Sequence, residues 1–337
     1  MTRVPVSPDL SIVIPIRNEA ASLVELHREL TETMAVWGRS YELLLVDDGS
    51  TDGSHEILAR LQAADPCLRV IRFRRNFGQT AAFAAGFDYA RGRLVVTSDG
   101  DLQNDPRDIP AMIAMLERGN YDIVCGWRKD RKDPFLSRRL PSILANRLIS
   151  VATGVHLHDY GCSLKVFRAE VVKPLKLYGE MHRFLPAIAS EQGVTIAEMV
   201  VNHRERRHGR SNYGIGRTIR VVLDLLTVKF LLNYSTRPLQ FFGLMGGVSG
   251  TLGLLICISL AYEKLMNFEA VSLSNRPLLL LGAVLIVTGV QLVTIGLVAE
   301  LQARTYHESQ NKPIYIIRDI LESTAPGPGP IRIGLTS

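Results

Sequence analysis

Residues Leu94–Pro106 read LVVTSDGDLQNDP. An apolar run through Leu94, Val95 and Val96 gives way to two aspartates, Asp99 and Asp101, with a glycine between them. In an extended chain, residues two apart point to the same side, so the two carboxylates are expected to meet at the end of a buried strand. Like charges held that close repel each other. A divalent cation, Mg2+ or Mn2+, bound by one or two carboxylates together with a substrate's phosphates relieves the repulsion. The plain alternative is a polar loop whose aspartate caps the next helix. Asp105 before Pro106 already supplies such a cap, which leaves Asp99 and Asp101 without a structural task. A D-x-D pair is a weak signal alone, and its weight comes from the sequence around it.

Outward from this stretch, short β-rich runs alternate with helical ones. LSIVIPI (10–16) is followed by an amphipathic stretch over 20–37, and YELLLVDDGS (41–50) by a helix near 54–64. LRVIRF (68–73) leads into a small-residue helix over 80–90; RLVVTSD (93–99) leads into a helix near 109–118 and then YDIVCGW (121–127). Strands apolar on both faces and separated by helices predict an α/β fold with a mainly parallel sheet covered on both sides. Such sheets bind ligands beyond the carboxyl ends of their strands. The polar clusters fall there: Arg17-Asn18-Glu19, Asp47-Asp48-Gly49-Ser50 and Asp99-Gly100-Asp101. No G-x-G-x-x-G follows the first strand and no G-x-x-x-x-G-K occurs, which disfavours dinucleotide and P-loop readings.

The chain has 337 residues, and its apolar residues are unevenly spread. Phe241 to Tyr262 and Pro277 to Ala299 contain no Asp, Glu, Lys or Arg, and each matches the ~20 residues a helix needs to cross a bilayer. Two spans joined by a short link are expected. Gln291 is the one strongly polar side chain within them and a candidate to join the helices, and GLMGGVSGTLG (243–253) has the small-residue spacing of helix packing and self-association. Arg204, Arg206, Arg207, Arg210, Arg217, Arg220, Lys229 and Arg237 precede the first span, whereas Glu263, Lys264, Glu269 and Arg276 balance in the link. This asymmetry predicts a multi-pass protein of the inner (plasma) membrane, with its N-terminal domain and both termini cytoplasmic. The N-terminus lacks a signal peptide's apolar core. The expected division is a cytoplasmic domain over 1–234, a helical hairpin over 235–305 and a partly disordered tail over 306–337. Amphipathic patterns near 135–151 and 215–234 predict helices lying at the membrane interface. The net charge of +6 clusters beside the spans, which favours lipid headgroups or phosphorylated ligands over nucleic acid. Cys67, Cys125, Cys162 and Cys257 show neither disulfide nor zinc spacing. The histidines at 156, 158, 182, 203 and 208 read as surface or loop residues.

The ordered set VIPIRNE, LLVDDGSTD, RNFGQTAAFAAG and SDGDLQNDP, each after its strand, then DYGCSLKVFR, RERRHGRSNYG and the helix pair, resembles glycosyltransferase family 2. Within it the pattern is similar to the polyprenyl-phosphate glycosyltransferase branch, which includes dolichyl-phosphate mannose synthases and undecaprenyl-phosphate sugar transferases. The resemblance spans about Leu10 to Lys312. It implies a GT-A nucleotide-sugar-binding fold and inverting transfer of one sugar from a UDP- or GDP-linked donor to undecaprenyl or dolichyl phosphate. By the same resemblance Pro15, Asn18 and Glu19 lie in the first nucleotide-binding segment, and Asp47 contacts the base or ribose. Asp99 and Asp101 hold the metal on the diphosphate, and Gln103 completes D-x-D-L-Q. Arg128 and Arg138 lie near the donor and acceptor phosphates, and Arg206 lies in a loop closing over the donor. Asn212 stands where the family often has Lys, so Arg210 is the candidate to replace that charge on the acceptor phosphate. A tetramer is also implied.

A sugar hydroxyl acceptor would need a positioned base. A lipid phosphate is already anionic near neutral pH, its second pKa being ~6, so Asp159 in HDYGCS is left either as a carboxylate to orient the acceptor or as one that fixes its own loop. A processive polysaccharide synthase of the same family is disfavoured, because neither Trp37 nor Trp127 follows an arginine as Q-x-x-R-W requires and only two spans appear. A non-catalytic anchor or adaptor would be expected to lack Asp99 or Asp101. A transporter would be expected to carry charged or broken intramembrane segments.

Overall fold

The computed structural model describes residues 7–129, 146–147, 149–150, 153–177, 179, 181–205, 238–266, 277–309 and 314–323. The runs that are apolar on both faces become the centre of a sheet. β1 (Leu10–Ile16), β2 (Tyr41–Asp47), β3 (Leu68–Phe73) and β4 (Leu94–Thr97) lie side by side and parallel in the order β4-β1-β2-β3. Their crossovers are α1 (Leu23–Trp37), α2 (Ser54–Ala64) and α3 (Gln79–Tyr89); α4 (Ile109–Arg118) leads from β4 to β5 (Ile123–Trp127). The buried side of α1 is Leu23, Leu26, Leu30 and Met34, the spacing of one helical face. It shares a core with Ile12, Ile14, Leu43, Leu45, Val96 and the buried face of α4.

Two strands run against the others. β6 (Lys165–Arg168) inserts between β4 and β5 and pairs antiparallel with both. After the short helices α5 (Ala169–Val172) and α6 (Leu185–Ser190), β7 (Ile196–Val200) returns parallel to β5. The full order is β7-β5-β6-β4-β1-β2-β3-β8.

The last of these strands corrects the expected C-terminal tail. β8 (Ile317–Leu321) pairs antiparallel with β3, so the segment after the apolar helices rejoins the sheet. Its residues are β-branched or leucine at 317, 320 and 321, which suits an edge position. The sheet, its helices and β8 form one unit, and α7 (Pro238–Met266) and α8 (Pro277–Ser309) form another.

Within the hairpin, α7 and α8 contain stretches of 28 and 23 residues, long and apolar enough to cross a membrane. Glycines let the two backbones approach: a Cβ on Gly246 would lie 2.6 Å from the Gly289 carbonyl oxygen, and one on Gly253 would lie 2.6 Å from that of Gly282. Part of the small-residue stripe is thus used inside the hairpin. Gln291 is exposed and does not join the helices; Ser249 does, donating to the Leu285 carbonyl at 2.9 Å. Of the interface segment expected over 135–151, only Asn146, Arg147, Ile149 and Ser150 are described, and they are helical. The segment over 215–234 lies outside the described residues.

Candidate active site

The loops after β1, β2, β3 and β4 leave the carboxyl edge of the sheet, and the first two are tied together. Asn18 adopts φ 56°, a left-handed conformation that asparagine tolerates. Its N–H donates to Ser50 Oγ at 3.1 Å and its Oδ1 accepts from the Thr51 N–H at 2.8 Å. The Glu19 N–H reaches Ser54 Oγ at 3.2 Å, and that of Ala20 reaches Asp52 Oδ2 at 3.0 Å. Pro15 sits in β1 without an N–H to give. The β1–β4 ladder has already ended at Val13 opposite Thr97, so no bond is lost on that side.

Asp47 ends β2, only 3% exposed, and its Oδ1 accepts from the Ser50 N–H at 2.9 Å. Asp48 beside it accepts from the N–H groups of Phe77 (2.6 Å) and Gly78 (3.0 Å), fastening the loop after β3. Burial pushes its carboxyl upward, against those two hydrogen bonds. The two loops meet so closely at Gly49 (φ +68°) that a Cβ would lie 2.6 Å from the Arg75 carbonyl carbon.

Asp99 and Asp101 are brought together by a turn. β4 stops at Thr97, and the chain bends through 100–102, with Leu102 at φ 63°. The expected strand-end alternation therefore gives way to turn geometry: β4 has lost its β1 partner by this point. Asp99 is half-buried and accepts from Gln79 Nε2 at 2.8 Å. Its carboxyl is pushed upward by burial and by the Asp101 charge, while Ser163, Arg128 and Lys165 pull it back. Asp101 is buried and accepts from the Gln103 N–H at 3.2 Å. Gln103 in turn binds the first residue of the basic stretch that precedes the apolar helices, its carbonyl accepting from the Arg204 N–H at 2.9 Å. Asp105 caps the following turn as expected, accepting from the Arg107 N–H.

Arg128 follows β5 and forms a fork with Asp159: Nε to Oδ2 at 2.7 Å and Nη2 to Oδ1 at 2.9 Å. Although burial alone would lower it, this pairing raises the Arg128 pKa and keeps the group cationic. The turn carrying Asp159 is held by Glu198 of β7, which accepts from the His158 N–H at 2.9 Å and from His158 Nδ1 at 2.8 Å. The His158 ring stacks on Trp127 with centroids 4.2 Å apart.

Three further residues, to none of which the sequence assigns a role of its own, bear on the site. Asp48 holds the third loop; its position in a D-D pair at a strand end was the available signal. Lys165 is buried in β6, its ammonium donating to the Cys162 and Tyr160 carbonyls. Arg72 lies between Asp47 and Asp319, and nothing in its local sequence marks it. Arg138, Arg206, Arg210 and Asn212 lie outside the described residues.

Among the described residues no three His, Cys, Asp or Glu side chains gather as a ligand set. Asp99 and Asp101 offer two hard oxygen donors, which is the contribution a cation shared with a diphosphate requires. They fit Mg2+ or Mn2+ held jointly with a substrate.

A mainly parallel sheet with helices on both sides, tied loops at its carboxyl edge and a D-x-D turn among them define a GT-A fold. The Glycosyl transferase family 2 model matches residues 11–175, and the chain belongs to that family. It is a glycosyltransferase. It is 48% identical to a dodecaprenyl-phosphate galacturonate synthase of Rhizobium johnstonii over 321 residues, covering 94% of each chain. It is 37% identical to an undecaprenyl-phosphate 4-deoxy-4-formamido-L-arabinose transferase of Pseudomonas paraeruginosa, covering 97% of this chain and 95% of that one. Among solved structures, glucosyl-3-phosphoglycerate synthase from Mycobacterium tuberculosis with Mn2+ and UDP-glucose superposes with a TM-score of 0.54 at 20% identity, covering 68% of this chain and 81% of that one. That likeness shows the fold.

Proposed function

We propose that this glycosyltransferase moves a single sugar from a UDP- or GDP-linked donor to the phosphate of an undecaprenyl- or dolichyl-type lipid, with inversion, at the cytoplasmic face of the plasma membrane. The observation that carries this reading is the union, in one chain, of the D-x-D turn at the sheet's carboxyl edge with a hairpin of two helices apolar enough to cross a bilayer. The names of relatives that align along nearly the whole chain support the acceptor class. The arginine excess before α7 supports cytoplasmic termini.

The chemistry needs no dedicated base. A phosphate monoester is dianionic above its second pKa of ~6, so its oxygen can attack the anomeric carbon directly. Asp99 and Asp101 would hold Mg2+ or Mn2+, which supplies positive charge to the departing nucleoside diphosphate. Arg128, kept cationic by Asp159, supplies fixed charge to the same phosphates. Asp159 is then a positioning residue for Arg128 in place of an acceptor ligand. Arg138, Arg206 and Arg210 remain proposed for the acceptor and donor phosphates, and self-association as a tetramer remains part of the same proposal.

The test is transfer by the purified full-length protein, given UDP- and GDP-sugars, a polyprenyl phosphate and Mg2+ or Mn2+. A lipid-linked product from one donor is expected, lost with EDTA and with Asp101→Asn. Intact nucleotide binding with no product from any donor would overturn the reading.

A further inference from the structure

The edge strand β8 brings a carboxylate into register with the nucleotide end of the sheet. Asp47 in β2 is the Cα partner of Arg72 in β3, and Arg72 is the partner of Asp319 in β8. The three side chains form one row across three strands, acid, base, acid. Arg72 Nη1 lies 3.2 Å from Asp319 Oδ2, and Arg72 Nε lies 3.9 Å from Asp47 Oδ2. Arg72 is thus gripped on the outside by Asp319 and turned inward toward Asp47.

Residues on either side of Asp319 keep this register. The Tyr315 hydroxyl donates to Asp88 at 2.7 Å, and its ring stacks on Phe73 at 5.2 Å between centroids. Phe73 meets Phe77 edge-on at 5.7 Å, and Phe77 belongs to the loop that Asp48 fastens. The Arg74 N–H donates to the Ile316 carbonyl at 3.1 Å. At the far end, Glu322 accepts from Arg69 at 3.0 Å and from Arg91 at 2.9 Å. Glu322 therefore fastens the strand at the opposite end from Asp47.

We propose that β8 is a working part of the donor site, in which Asp319 positions Arg72 so that its guanidinium sets the charge and orientation of Asp47 for the nucleotide. This rests on the reading that Asp47 contacts the donor's base or ribose. Without Asp319, Arg72 keeps one carboxylate partner where it had two. Its guanidinium is then free to close fully on Asp47, competing with the nucleotide for that carboxylate. Donor binding depends on this row, whereas the reacting groups at Asp99, Asp101 and Arg128 do not.

The experiment measures UDP and GDP affinity by calorimetry on the full-length protein in detergent with Mn2+, followed by steady-state transfer kinetics. Asp319→Asn is expected to raise the Kd of the preferred nucleotide and the donor KM by about three- to tenfold, the range of a half-exposed charge pair with a hydrogen bond. kcat should be unchanged, and Asp319→Glu should recover part of the loss. In an Arg72→Gln background, Asp319→Asn should add nothing further. Glu322→Gln is the control, since it loosens the same strand at the other end; it should lower Tm while leaving Kd unchanged. Equal Kd rises in Asp319→Asn and Glu322→Gln would overturn the proposal, because β8 would then act through general stability. An unchanged Kd in Asp319→Asn would overturn it as well. If wild type bound neither nucleotide, the assignment of a UDP- or GDP-linked donor would fall first, and this inference with it.

Discussion

Arg128 and Asp159 face each other through two parallel hydrogen bonds of 2.9 and 2.7 Å, and both side chains are nearly withdrawn from solvent. Residues 31 apart in sequence are locked into one fork at the carboxyl edge of the sheet. A carboxylate that sequence alone would offer to the acceptor is committed to an arginine. This fixes the guanidinium plane, which a flexible surface arginine could not do.

Replacing Asp159 by Asn keeps the shape and removes the charge. Breaking a buried ion pair at one partner costs ~3 kcal/mol or more, because the remaining charge is left uncompensated. Asp159→Asn should therefore lower the unfolding midpoint in detergent and also reduce kcat, since Arg128 loses its orientation. Loss of stability with full kcat would separate Arg128 from the chemistry.

Gly49 should tolerate no side chain. Its φ of +68° disfavours L-residues by roughly 1–2 kcal/mol, and the added Cβ would strike backbone of the Arg75–Asn76 segment at 2.6–2.8 Å. Gly49→Ala is expected to push apart the loops after β2 and β3 and to raise the donor Kd. Calorimetric titration with nucleotide is the check.

Asp105 should govern part of the acid limb of stability. Burial alone would raise its pKa, but hydrogen bonds from Arg107, Asn202 and Arg204 outweigh burial and hold the carboxyl well below its usual range. A folded pKa below the unfolded ~3.9 contributes stability that is fully present above that value. The contribution is lost as pH falls through ~3.9 toward the depressed folded value. Unfolding midpoints of wild type and Asp105→Asn should thus converge as pH drops from 6 toward 3. A constant gap across that range would contradict the assignment.

The hairpin offers a matched pair of substitutions. Gly253→Leu places its first added carbon 2.6 Å from the Gly282 carbonyl oxygen, whereas Gly247 has nothing within 4 Å. Gly253→Leu should lower the thermal stability of detergent-solubilised protein and Gly247→Leu should leave it unchanged. Loss of a larger assembly in Gly247→Leu alone would instead place that face between copies of the chain.

The sequence by itself determined the parallel centre of the sheet, the places of helices α2 and α4, and both apolar helices. Each is written in a short window: β-branched or leucine runs buried on both faces, a helical apolar stripe, or some twenty uncharged residues. It also placed Asp47, Asp99 and Asp101 at the carboxyl edge, because in parallel α/β order every strand end faces the same way. Tertiary structure alone decided the insertion of β6 between β4 and β5, the return of Ile317–Leu321 to pair with β3, and the partners of Asp159 and Arg72. Those choices pair segments far apart in the chain, and their register is set by which edges remain open once the local strands have formed. No window of neighbouring residues contains that information.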